Sequence, residues 1–172
     1  MEKTKWLIVL TAAMIVSTAA HASDWPGFRG EKRDGKSTET DLLTEWPAGG
    51  PPLIWAVEGV CGKGYSSPAV VDEMVYTTGM LEDPSNQEHV FAFDADGQLK
   101  WKTAYGPSWE RSYPGARTTP TIDGDRLYVM SGNGVIACLN RHTGDIRWKV
   151  DTAEVYQAKN IKWGISESVL ID

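Results

Sequence analysis

The residues best suited by type to do chemistry sit in three short loops: Cys61-Gly62-Lys63-Gly64-Tyr65-Ser66-Ser67, Glu110 to Thr119, and Lys162-Trp163-Gly164-Ile165-Ser166-Glu167-Ser168. Each carries an aromatic residue (Tyr65, Tyr113, Trp163) and a cation (Lys63, Arg117, Lys162), and the third adds Glu167. Aromatic faces beside cations suit a planar or anionic ligand, held by stacking and charge-assisted hydrogen bonds. The same residue types also serve as braces, with the aromatics stiffening their loops and Arg117 and Glu167 satisfying buried backbone or each other. Residue type alone leaves both readings open. We take Lys63, Tyr65, Tyr113, Arg117, Trp163 and Glu167 as the candidate ligand-binding set.

No catalytic residue is assigned. His89 and His142 have no partner at metal-ligand spacing. Asp123-Gly124-Asp125 lacks the further oxygen ligands of a calcium loop. The run Gly62 to Ser67 lacks both the spacing and the following helix of a phosphate-binding P-loop. Nothing orders the Ser, Asp and His residues into a triad. Cys61 and Cys138 are not at metal-ligand spacing either. An exported chain could pair them, but Cys138 stands at a small-residue position of a strand and Cys61 in a separate Gly-rich loop, which favours two free thiols.

The elements that must hold these loops form a repeat. Ala92-Phe93-Asp94-Ala95-Asp96-Gly97-Gln98-Leu99-Lys100-Trp101 and Cys138-Leu139-Asn140-Arg141-His142-Thr143-Gly144-Asp145-Ile146-Arg147-Trp148 both read as strand, polar turn, strand, closed by a Trp four residues after the Gly. Pro68 and Pro120 stand 52 apart, as do Tyr76 and Tyr128, while Trp101 and Trp148 stand 47 apart. Short β-branched and aromatic runs lie between turn residues in each unit. Four antiparallel strands recurring at this period make a β-propeller blade. The expected fold is therefore all-β and propeller-like, with a lead-in over 23–52, a first strand over 53–58, blades over 67–103 and 118–150, and the start of another blade over 166–172. Two blades cannot close a ring, so the sequence is expected to be incomplete. Ala92, Asp94, Gly97 and Trp101 in one unit, Asn140, Thr143, Gly144 and Trp148 in the next, and Trp55 before both, are read as blade-to-blade fasteners.

Residues 1–22 read as a secretory signal. Lys3 and Lys5 precede an apolar run from Trp6 through Val16, and Ala20-His21-Ala22 is a small-x-small cleavage site. Cleavage before Ser23 leaves 15 of the 17 basic and 22 of the 23 acidic residues, a net charge of -7 with His neutral. That charge argues against nucleic-acid or anionic-membrane partners, which need a basic face. The apolar run is too short to span a bilayer, and no Cys follows it for lipid attachment. A periplasmic or secreted protein without a transmembrane segment is expected.

At its turn motifs the chain resembles the PQQ-like β-propeller repeat family, whose repeat has the form Ala-x-Asp-x-x-Thr-Gly-x-x-x-Trp. Cys138, Asn140, Thr143, Gly144 and Trp148 match it with two substitutions; Ala92, Asp94, Gly97 and Trp101 match it with one residue deleted. The opening Asp24-Trp25-Pro26-Gly27-Phe28-Arg29-Gly30 is similar to the start of exported bacterial members. The resemblance implies either a non-catalytic scaffold, with a protein partner or small anionic ligand at the funnel, or a quinoprotein dehydrogenase using PQQ with calcium. The vicinal Cys-Cys disulfide of the dehydrogenases is absent, because Cys61 and Cys138 are not adjacent. The lipidated Cys of the outer-membrane assembly scaffold is absent too. The expectation is a binding or scaffold propeller, with the dehydrogenase as the alternative.

Overall fold

The computed structural model describes residues 22–172. The expected signal sequence lies outside these residues, apart from Ala22. Among the described residues no helix is long and apolar enough to cross a membrane.

Two four-stranded antiparallel sheets make up the body. The first has the order β1 (Ala69–Val71), β2 (Met74–Met80), β3 (Gln87–Phe93), β4 (Leu99–Pro107); the second has the order β5 (Thr121–Asp123), β6 (Arg126–Met130), β7 (Val135–Asn140), β8 (Ile146–Asp151). A single helical turn, α1 (Thr152–Val155), follows β8, with the Asp151 carboxylate accepting from the amides of Ala153 and Glu154. The expected all-β propeller architecture is thus observed, as two successive blades. Their strand sequences are short and rich in Val, Ile, Tyr and Phe, which suit a pleated, half-buried surface.

Each strand of a meander needs a tight return. Asp72 and Glu73, at φ 50° and 61°, turn β1 into β2; the loop from Ser131 to Gly134 turns β6 into β7 with a Ser131 N–H to Val135 carbonyl bond of 2.8 Å. The return from β2 to β3 is tighter than the polar composition of 79–88 suggests, since pairing continues to Met80 opposite Glu88. Gly79 permits this. A Cβ there would stand 1.8 Å from the Cys61 carbonyl oxygen, so only glycine lets the two backbones meet.

Between the blades lies one apolar core. Tyr76, Val90, Ala92 and Tyr105 of the first sheet meet Leu127, Val129, Ala137 and Leu139 of the second, all buried, with Trp101 against them. The fasteners close this junction. The Trp101 ring lies on Gly144, where a Cβ would come within 2.6 Å of it, and its indole N–H donates to the Arg141 carbonyl at 3.1 Å. Trp55 repeats the arrangement one unit earlier: it covers Gly97 and donates to the Ala95 carbonyl at 2.7 Å. Asp94 and Asn140 shape the two turns by accepting amide N–H bonds, from Gln98 at 2.8 Å and from His142 at 2.9 Å. Trp148 packs against Tyr128 with centroids 6.1 Å apart and the rings tilted, as Trp101 does against Tyr76.

Two expected strands are corrected. Leu53–Glu58 lies outside any sheet, with Trp55 set on the next unit's turn; Leu53 and Ile54 are exposed. Residues 166–172 also form no strand. Ser168 and Val169 instead accept side-chain and backbone donors from Thr119, Thr121 and Arg33. β-rich composition makes a strand only where a neighbouring edge supplies ladder partners, and neither segment meets one among the described residues.

Candidate functional site

β1 and β5 are the first strands of their sheets, and the loops leading into them lie at one end of the blades. At that end the three loops singled out in the sequence converge. Lys63 pairs with Met80 in both directions, at 2.9 and 2.7 Å, which lays the Gly-rich loop across the end of β2. The loop is then stitched to the second by the Tyr65 amide on the Ala116 carbonyl at 2.7 Å and the Ala116 amide on the Lys63 carbonyl at 3.3 Å. The Ser112 hydroxyl donates to the Lys162 carbonyl at 3.2 Å, joining the second loop to the third.

The side chains follow. Tyr113 and Trp163 stand together at 6.2 Å between ring centroids, and Lys162 Nζ lies 4.8 Å from the Trp163 ring. Tyr65, Tyr113 and Trp163 are 59%, 67% and 50% exposed. An open hollow of about 590 Å³ lies among Gly62, Lys63, Gly64, Tyr65, Tyr113 and Pro114. Lys63 is tied to Glu82 at 2.5 Å; that bond holds the lysine above its ordinary pKa and the Glu82 carboxyl below its own.

Arg117 is placed differently. Its guanidinium sits 5.5 Å from the Tyr65 ring and 5.9 Å from that of Trp109, and Nη2 donates to the carbonyls of Ser112, at 2.8 Å, and Tyr113. In this arrangement it braces the loop from inside. Glu167 is exposed and bonds to none of the described residues, Arg117 included. Both cysteines are free, and burial raises both thiol pKa values, which keeps them protonated.

Two residues at this end escape sequence inspection. Trp109, 1% exposed, lies beneath the rim: Arg111 and Arg117 cover its faces, Gly164 packs on its ring, and its N–H donates to the Ser112 carbonyl at 2.9 Å. Glu88 is wholly buried. Its carboxylate accepts from Tyr105 Oη at 2.6 Å, Gly132 N at 3.0 Å and Trp109 N at 3.3 Å, joining both blades and the rim loop. Burial pushes its pKa up, against the pull of those donors. Trp109 stands outside the 47-residue spacing of the fasteners, and Glu88 lies in a polar run. The one available signal was an aromatic and a carboxylate, each beside a strand end.

Two meandering blades fastened Trp-on-Gly, with loops gathered at one end, define a repeat β-propeller protein. Residues 86–162 match the PQQ_2 family model, described as outer membrane protein assembly factor BamB. That match, like the turn motifs, is to a PQQ-like β-propeller repeat. No curated protein matches it. Among solved structures it is similar to BamB from Moraxella catarrhalis, at 22% identity over 51% of this chain and 22% of that one, with a TM-score of 0.36. A europium-containing methanol dehydrogenase shares 18% identity over 58% of this chain and 18% of its own, with a TM-score of 0.43. The quinohemoprotein alcohol dehydrogenase ADHIIG from Pseudomonas putida HK5 shares 27% over 54% and 13%, with a TM-score of 0.39. The chain therefore spans less than a quarter of the length of any of these three structures.

Proposed function

We propose that the chain acts as a non-catalytic binding or scaffold propeller, exported to the periplasm or beyond, and that it docks its partner on the rim built by the three loops. The observation that carries this reading is the exposure of Tyr65, Tyr113 and Trp163 on loops that are otherwise bonded to one another. Exposed aromatics on a preorganised surface lose little entropy when a partner covers them. Lys63 and Lys162 add cationic edges for a protein partner's carboxylates or a small anionic ligand.

The dehydrogenase alternative would need PQQ and calcium. Among the described residues no three His, Cys, Asp or Glu side chains converge to hold a metal ion.

The test is site-specific photo-crosslinking in the exporting cell, with the probe at position 113 or 163 and, as a control, at position 125 on the opposite end of the blades. One identified adduct shared by both rim positions and missing at position 125 supports docking. Equal capture at both ends, or none at the rim, removes the reading. Quinone absorbance with dye reduction after loading the protein with PQQ and calcium would transfer it to the dehydrogenase class.

A further inference from the structure

The opposite end of the blades holds a second hollow, of about 580 Å³, between the lead-in chain and the turns of both sheets. The lead-in is fixed across that end: Trp25 pairs with Val70 through bonds of 2.7 and 2.9 Å, and the Pro26 carbonyl accepts from the Ile122 amide at 2.8 Å. Three cations (Lys32, Lys36, Arg141) and three carboxylates (Asp24, Glu31, Asp72) line the space.

Arg141 is the unusual member. Its side chain is 9% exposed, and its one carboxylate partner is Asp72, bonded through Nη2. Nε and Nη1, three of its five N–H donors, have no partner. A buried guanidinium ordinarily has its donors satisfied, because leaving a charged group under-bonded is costly. The Tyr76 hydroxyl, also buried, stands beside the same guanidinium and interacts with it, though outside strict hydrogen-bond geometry. Asp72, for its part, is a weak clamp. Its side chain is 67% exposed and sits on a two-residue turn, so its contact competes with water.

The other carboxylates do not fill the gap. Asp24 accepts from the Asp72 amide at 3.1 Å, while Glu31 makes no ion pair with a described residue, and neither do Lys32 and Lys36. We propose that the hollow binds a small molecule bearing a carboxylate or phosphate group, with its oxyanion taking the place of Asp72 on Arg141, and Lys32 and Lys36 beside it. Asp72 then acts as a built-in competitor that the ligand displaces.

The experiment is calorimetric titration of the full chain with acetate and, separately, with inorganic phosphate, comparing wild type with Asp72→Asn, Lys36→Ala and Arg141→Lys. Removing the competitor in Asp72→Asn should tighten binding about fivefold, and Lys36→Ala should weaken it about threefold. Arg141→Lys should abolish it, since an ammonium does not reproduce the planar fork. Binding of acetate alone assigns a carboxylate ligand, and binding of phosphate alone a phosphate ester. If Arg141→Lys fails to fold, as judged by circular dichroism, Asp72→Asn still decides, because it keeps the guanidinium. No saturable binding by wild type or Asp72→Asn up to about 50 mM overturns the proposal. So does an Asp72→Asn variant that changes the melting temperature and leaves affinity as it was, because Asp72 would then be structural only.

Discussion

Glu88 ties both blades to the rim loop, since Tyr105, Gly132 and Trp109 donate to its two oxygens. Replacing it by Ala strands the Tyr105 hydroxyl and the amides of Trp109 and Gly132 in a buried space, and we expect a loss of about 3 kcal/mol in urea unfolding. Glu88→Gln should cost about 1 kcal/mol or less. Its carbonyl oxygen keeps the two amides, and Tyr105 can turn its proton towards the neighbouring hydroxyls of Thr78 or Thr118. The pH dependence has a definite sign. The folded-state pKa is raised, so the native protein binds this proton more readily than the unfolded chain does. The Glu88 contribution to stability is then fully present below the ordinary glutamate pKa and declines as pH rises through the folded value. Thermal melts of wild type and Glu88→Gln between acid and neutral pH should show their difference shifting in favour of the Gln protein as pH rises. A pH-independent difference would show that the carboxyl is not perturbed. None of this was legible from the residue itself, because a glutamate in a polar run reads as solvent-facing until two remote loops close over it.

At the scale of the element, the turn motifs were legible because their geometry is local. An Asp or Asn that accepts amides within four residues, followed by a Gly at positive φ, makes the same turn wherever it stands. Trp101 and Trp55 each cover the turn glycine of the following unit, whereas Trp148, 45% exposed, covers no glycine among the described residues. Leu53–Glu58 failed as a strand for the complementary reason: a ladder is a property of two segments, and its partner is not encoded nearby. The three Trp positions give a graded test. Trp101→Ala should cost about 4 kcal/mol, since the ring fills the inter-blade wedge. Trp148→Ala should cost about 1 kcal/mol, because the ring is 45% exposed. Gly144→Ala, which must accommodate both a positive φ of 76° and the Trp101 ring, should cost at least as much as a buried cavity, about 3 kcal/mol. Equal losses at Trp101 and Trp148 in chemical denaturation would disprove the fastening role.

Over the whole molecule, stability is concentrated at the junction between the sheets. The central strands β2, β3, β6 and β7 carry most of the buried core, whereas all six residues of β8 are exposed. Amide hydrogen exchange should accordingly be slowest in β3 and β7 and fast from Ser37 to Val60, where no strand forms. Uniform protection across the second sheet would contradict this. The gathering of the three loops at one end was legible from their equivalent places in the repeat, but their division of labour was not. Arg117 could be read as a ligand-facing cation or as a brace, and the fold turns it inward onto Trp109, a ring that no spacing rule had marked.

The fastening has one further consequence, for how such a chain can change over generations. The indole that covers each turn glycine belongs to the preceding unit, so the heritable module is offset from the visible blade. It runs from one tryptophan to the next unit's glycine. A side chain at position 144 strains the turn at its positive φ and also needs position 101 to shrink with it, and the same holds for 97 and 55. Substitutions should therefore travel in pairs that straddle the blade boundary, and a duplicated segment cut at the boundary between sheets would inherit half of each joint.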